Sequence, residues 1–348
     1  MVTLGDIVQP DPARIIKDAA ILLDKGLHNA GYVSSYTPTR SAIKIFECLA
    51  RAVLPAAPTE TRAMNWHGPY GSGKSHLGVV VGRLLRDGTG GREFADLLRA
   101  LENLNAAKLA GRLRGTFLDA SDRDARPYFL VSLYRSSEHP ISHQLLEALY
   151  RGLREDEQLR EEPILSKTEY DAACQRFEEI VTTSPQYQNA ELSQWNLAQQ
   201  AYLTTAEMAA DLKRHDPTAY GVFLSWYRAV CHGESFDPSR HGGKRFVEAY
   251  LEAGQNLAAR GYSGIAIIWD EFGHVLEDMI GNPRRNAINE IIEFQEFVEK
   301  ACAPDTGHTL FIGLTHVSLA EYGARFDCLA AKFARRRASS RAGFAAPA

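Results

Sequence analysis

The sequence has no apolar run long enough to cross a membrane. Its longest strongly apolar stretch, Ile265 to Trp269, falls far short of the ~20 residues a spanning helix needs. The opening residues, MVTLGDIVQPDPARIIKDAA, place no basic segment ahead of an apolar core, so they do not read as a secretory signal. Cysteine is scarce. Cys48, Cys174, Cys231, Cys302 and Cys328 lie far apart with no C-x-x-C pair, a pattern that predicts neither a zinc ribbon nor a disulfide framework and suits free thiols in a cytoplasmic location. A large excess of one charge is missing too: the net charge is -4 and the pI about 6.3. A uniformly basic coat for nucleic acid is thereby excluded, whereas a local basic groove is not. What remains is ordinary globular composition, 45% hydrophobic and 24% charged over 348 residues. That length holds two compact domains, or one domain with a large insertion.

Hydrophobic spacing divides the chain further. Asp11-Pro12 can open a helix whose stripe runs through Ile15, Ile16, Ala19, Leu22 and Leu23, with Gly26 as a stop. Tyr32 to Tyr36 reads as short and extended, Ser41 to Val53 as a helix, and Leu54 to Pro58 as a linker. A short strand-like segment at 63–67 and apolar runs at 128–133, 264–269 and 309–315 read as strands, and helices are expected at 141–153, 244–260 and 284–302. Strand and helix alternate, which predicts an α/β fold, a parallel sheet covered by helices. Between 154 and 243 the chain is polar, helical in pattern and without a chemical motif, and reads as a long helical insertion. The expected organisation is a helical segment and linker (1–58), a core (59–325) carrying that insertion, and a basic tail (326–348). Residues 325–348 carry six Lys and Arg against one Asp. Such a run reads either as a disordered end or as an arm for nucleic acid.

One motif is specific. Gly68-Pro69-Tyr70-Gly71-Ser72-Gly73-Lys74-Ser75 matches G-x-x-x-x-G-K-[ST] in full, a match expected by chance in roughly 1% of chains this long. A strand-like segment precedes it, and an apolar helical pattern follows from Lys74 through His76 and beyond. Glycines let consecutive backbone N–H groups close on phosphate oxygens, and the helix N-terminus adds its positive end. Lys74 then supplies a cation to the β- and γ-phosphates, and the Ser75 hydroxyl a ligand for Mg²⁺. Asn65 and Trp66 make the preceding strand less apolar than a buried parallel strand usually is.

Ile265-Ala-Ile-Ile-Trp-Asp270-Glu271 is an apolar run ending in two carboxylates. Ligands of open α/β sheets bind at the carboxyl ends of strands. There Asp270 would orient Mg²⁺, and Glu271 would polarise the attacking water. The 309–315 run ends in Thr315 and His316, either of which could sense the γ-phosphate or the water. Arg284, Arg285 and Arg325 are candidates for a charge-stabilising arginine, or simply solvated.

With these blocks in place the chain resembles AAA+-type P-loop ATPases. Within them it is similar to the large ATPases of bacterial anti-phage defence islands, the PglY and BrxC proteins of BREX systems. The likeness is carried by GPYGSGKSHL, FLVSLYRSSEHPISHQLLEALYRGL, IIWDEFGHVLE, QEFVEKA (Gln295 to Ala301) and GLTHVSLAEY. It implies ATP and Mg²⁺ as cofactors, hydrolysis coupled to remodelling a protein–DNA assembly, and protein partners in a defence complex. DNA and further copies of the chain are admissible partners. The long spacing between Lys74 and Asp270, and the absence of a helical lid pattern after residue 330, depart from that group. The expectation is therefore an N-terminal portion, with a nucleotide switch or scaffold that hardly hydrolyses ATP as the alternative.

Overall fold

The computed structural model describes residues 21–54, 56–117, 127–134, 139–183, 204–281, 287–303 and 309–324. Four strands, β1 (Ala63–His67), β2 (Tyr128–Tyr134), β3 (Gly264–Asp270) and β4 (Thr309–Thr315), build one all-parallel sheet in the order β1-β4-β3-β2. Their bounds match the expected strands to within a residue. The two inner strands, β3 and β4, are buried at every position, whereas the outer pair is only partly buried. That difference explains the patterning: a strand covered on both faces and both edges keeps its polar residues at its two ends, as Thr309 and Thr315 do in β4.

Contacts divide the chain into two compact units. The first comprises the described parts of Met1–Glu138, Gly261–Ile292 and Cys302–Ala348, and contains the whole sheet. Its largest cover is the Lys74–Asp87 helix, which sends Leu77, Val80, Val81 and Leu84 into a core with Ala266, Ile268, Ile312 and Leu314. That helix lies very close to its neighbours at Gly82, where a Cβ would stand 2.7 Å from Leu27 Cδ2 and 3.2 Å from Ile268 Cδ1. The helices Leu23–Leu27, Arg40–Ala52, Arg92–Asn103 and Ala107–Thr116 add Leu23, Phe46, Leu49, Phe94 and Leu113 to the same core. The described part of the 1–58 segment thus belongs to the sheet's own unit. Thr39 caps the Arg40–Ala52 helix, its hydroxyl accepting from the Ala42 N–H at 3.2 Å.

Three local expectations need correction. Tyr32 to Tyr36 is not extended, for Gly31–Ser34 is a helical turn. Tyr32 and Val33 are both buried, and the Asn29 side chain accepts from the Gly31 N–H at 2.9 Å to start the turn. The Phe272–Gly281 helix, directly after β3, was not anticipated. Of the expected opening helix, the part before residue 21 lies outside the described residues, as do the basic tail, Cys328 and the candidate arginines Arg284, Arg285 and Arg325; the described part is the short helix Leu23–Leu27, which runs through Gly26 instead of stopping there.

The second unit, His139–Arg260 with Glu293–Ala301, is helical. It extends beyond 154–243 on both sides, taking in the Ile141–Glu155 and Phe246–Ala259 helices, which Tyr250 ties together by donating its hydroxyl to the Leu145 carbonyl at 2.7 Å. Phe177, Met208, Leu212, Phe223 and Trp226 fill a separate core between its other helices. Glu169 has its pKa pushed up to about 7, chiefly by burial, with Glu293 and Glu248 adding to the rise and Arg245 opposing it. A carboxyl raised from 4.5 contributes full stability below that pH and loses it as pH rises through about 7. Glu169→Gln should therefore unfold at higher urea than the parent chain near pH 8, by ~1–3 kcal/mol, and give up most of that gain near pH 4.5. Equal unfolding curves at both pH values would contradict the assignment.

Candidate functional site

Because all four strands run the same way, their carboxyl ends share one edge, and the sequence-predicted residues gather there. β1 ends at His67, and Gly68 to Gly73 then loop to the start of the Lys74–Asp87 helix. Gly71 and Gly73 have φ of +74° and +82°. Nothing lies within 4 Å of a Cβ added at either, so glycine is needed there for its backbone conformation, not for space. The Gly68 N–H donates to the Thr315 carbonyl at 3.2 Å, which continues the β1–β4 ladder into the loop. The Lys74 ammonium folds back to donate to the Gly68 and Pro69 carbonyls at 2.6 and 2.9 Å. Burial lowers its pKa, against the pull of Asp270 and Glu271.

Ser75, one residue into the helix, faces Asp270 at the end of β3. Asp270 is 2% exposed. Burial is the largest influence on its carboxyl and raises the pKa; the Ser75 hydroxyl and the Glu271 N–H favour the ionised form. Oδ1 accepts from the Glu271 N–H at 2.9 Å, while Oδ2 is buried with no hydrogen-bond partner. A buried carboxylate oxygen left orphaned costs ~1–3 kcal/mol or more, and a hard cation is the ligand that would satisfy it. Mg²⁺ takes one or two protein oxygens, keeps several waters, and completes its shell with phosphates. Ser75 and Asp270 fit that donor set. Among the described residues there is no cluster of three or more His, Cys, Asp or Glu that could hold a metal, and Mg²⁺ does not require such a cage.

The structure separates the two candidates on β4. Thr315 is fully buried, donates to the Val317 carbonyl at 2.7 Å and accepts from Asn65 Nδ2 at 3.1 Å. Its hydroxyl is committed to the sheet. Asn65, the polar residue that looked out of place in β1, is thus the partner that holds Thr315 against β1. His316 lines the cavity instead. Both of its ring nitrogens are buried without a hydrogen-bond partner, and Tyr70 from the glycine-rich loop stacks on it with centroids 3.6 Å apart. Burial first, then Lys74 and His274, lower its pKa.

A cavity of about 410 Å³ opens at this edge, lined by Tyr70 to His76, Asp270, Glu271 and His316, with Ile21, Leu22, Tyr134 and Leu314 completing the wall. That volume lies in the range of small-molecule sites. His76 lines it with its ring edge-on to Tyr32 and Tyr36, and its Nε2 meets the Tyr32 carbonyl at 2.5 Å. Tyr134 and His274 were not singled out from sequence. Tyr134 sits opposite Asp270 in the β2–β3 register, which is legible only once the strands are paired. No helix among the described residues is long and apolar enough to cross a membrane. Compared with known proteins, the chain matches no family model, no curated protein and no solved structure.

Proposed function

We propose that the chain is a P-loop, AAA+-like protein that binds ATP with Mg²⁺ and hydrolyses it to remodel a protein–DNA assembly in bacterial phage defence. One observation carries the enzymatic part. Ser75, on the helix that follows the glycine-rich loop, faces a buried carboxylate, Asp270, whose second oxygen has no partner in the protein. Far apart in sequence, these two residues meet at the place where a phosphate-bound cation would need them. Loop N–H groups and the helix N-terminus would hold the phosphate oxygens. Lys74 would leave the Gly68 and Pro69 carbonyls for the β/γ-phosphates. Ser75 and Asp270 would hold Mg²⁺, directly or through water, and the cation bound there would neutralise phosphate charge. Glu271, next along the chain and on the cavity wall, would orient and polarise the attacking water, and His316 would donate to the γ-phosphate side. The defence role and the DNA-bound partner rest on the sequence resemblance alone.

Lys74→Ala tests the binding half. The variant loses charge-assisted hydrogen bonds to phosphate and should bind MgATP ~10-fold or more weakly by calorimetric titration. Equal affinity in variant and parent would sink the phosphate-loop reading. Stimulation of ATP turnover by double-stranded DNA, absent with Lys74→Ala, is the result expected if the partner assembly contains DNA.

A further inference from the structure

Glu271 has a backbone φ of +58°, in the left-handed region that costs a non-glycine residue ~1–2 kcal/mol. Such a conformation persists where its surroundings hold it, and strain of this kind gathers at functional sites. His274, at the start of the following helix, holds Glu271 at two points. Its backbone N–H donates to the Glu271 carbonyl at 2.9 Å. Its imidazole Nε2 lies 3.8 Å from Glu271 Oε2, within ion-pair range though too long for a direct hydrogen bond. The other ring nitrogen, Nδ1, lies 3.4 Å from Glu277 Oε2. One imidazole therefore stands between two carboxylates, and its edge meets the His316 ring with centroids 5.8 Å apart.

Resting on the hydrolase reading above, we propose that His274 is a positioning residue for Glu271. A glutamate side chain has several rotamers, only some of which aim its carboxylate at a water beside the γ-phosphate. The imidazole favours the orientation it can attract, and Glu277 keeps the imidazole itself from swinging away. Because the same ring meets His316, Glu271 is held in register with the residue on the phosphate side of the cavity. His274 touches neither phosphate nor water in this scheme. It acts through Glu271 alone.

The test compares ATP turnover, MgATP affinity and crystal structures for the parent chain, His274→Ala, His274→Gln, Glu271→Gln and the His274→Ala/Glu271→Gln double variant. His274 is 41% exposed, so the fold should tolerate its loss, and thermal melts verify that. His274→Ala should lower kcat ~10–100-fold, the penalty for misplacing a reacting group by about an ångström, with KM and affinity within about twofold. His274→Gln, which keeps a polar donor near the same place, should recover part of the loss. The double variant should be no slower than Glu271→Gln, and the Glu271 carboxylate should move in the His274→Ala crystal structure. The proposal is overturned if kcat stays within about twofold, if the loss recurs in the Glu271→Gln background, or if the carboxylate does not move. Failure of the hydrolase reading looks different: the parent chain then shows no turnover above Lys74→Ala, and the crystal structures alone decide whether His274 positions Glu271.

Discussion

Glu271→Gln should bind MgATP within about twofold of the parent chain and turn it over ~10²–10⁴-fold more slowly. The substitution keeps the shape and hydrogen-bonding capacity of the side chain and removes the negative charge that polarises water, and loss of a positioned acid–base group has that magnitude. Affinity is spared because Glu271 is assigned neither the metal nor the phosphates, so its effect belongs to the transition state. Single-turnover measurements beside equilibrium titration separate the two quantities. Should the parent chain turn over and Glu271→Gln match it, the base lies elsewhere and the acidic pair is only a metal site. Should the parent chain bind MgATP yet show no turnover above Lys74→Ala, the protein acts as a nucleotide switch or scaffold.

Asp270→Asn should produce two opposite changes. Burial raises the Asp270 pKa, and Oδ2 has no partner. A raised carboxyl contributes stability only while protonated, and that contribution is lost as pH rises through the folded-state pKa. Ionisation of this side chain is therefore a burden on the nucleotide-free fold. The neutral amide removes the buried charge, can still accept from the Glu271 N–H, and can donate to a Ser75 hydroxyl turned to accept. Asp270→Asn should melt above the parent chain near pH 8, by ~2–4 °C for each kcal/mol recovered, with the advantage shrinking as pH falls. In the same protein, the gain in ATP affinity on adding Mg²⁺ should disappear and turnover should fall ~10²-fold or more. Such a trade of stability for function is common where a site must keep a charge out of water. A lower melting temperature with Mg²⁺-dependent binding intact would make Asp270 a structural anchor and remove it from the metal site.

What the sequence determined by itself is local. The apolar runs into Asp270 and at Thr309–Thr315 are β3 and β4, because a strand buried on both faces is apolar through its interior, while the strand-like segment Ala63–His67 is β1, an outer strand only partly buried. The glycines at 71 and 73 were legible for the same kind of reason, since left-handed backbone selects glycine whatever lies nearby. Tertiary structure decided everything that depends on which elements become neighbours. The order β1-β4-β3-β2 brings Ser75 to Asp270 and sets Tyr134 beside it. It also turned Asn65 from an unexplained polar residue into the partner of Thr315, and so left His316 rather than Thr315 on the cavity wall. His274 is placed by local geometry too, but its significance depends on where the Phe272–Gly281 helix points its first turn, toward Glu271, Glu277 and His316. Periodicity reports the burial of a segment; it carries no record of the neighbouring strand or ring. A polar residue therefore reads as a flaw in its own strand until strand pairing supplies its partner.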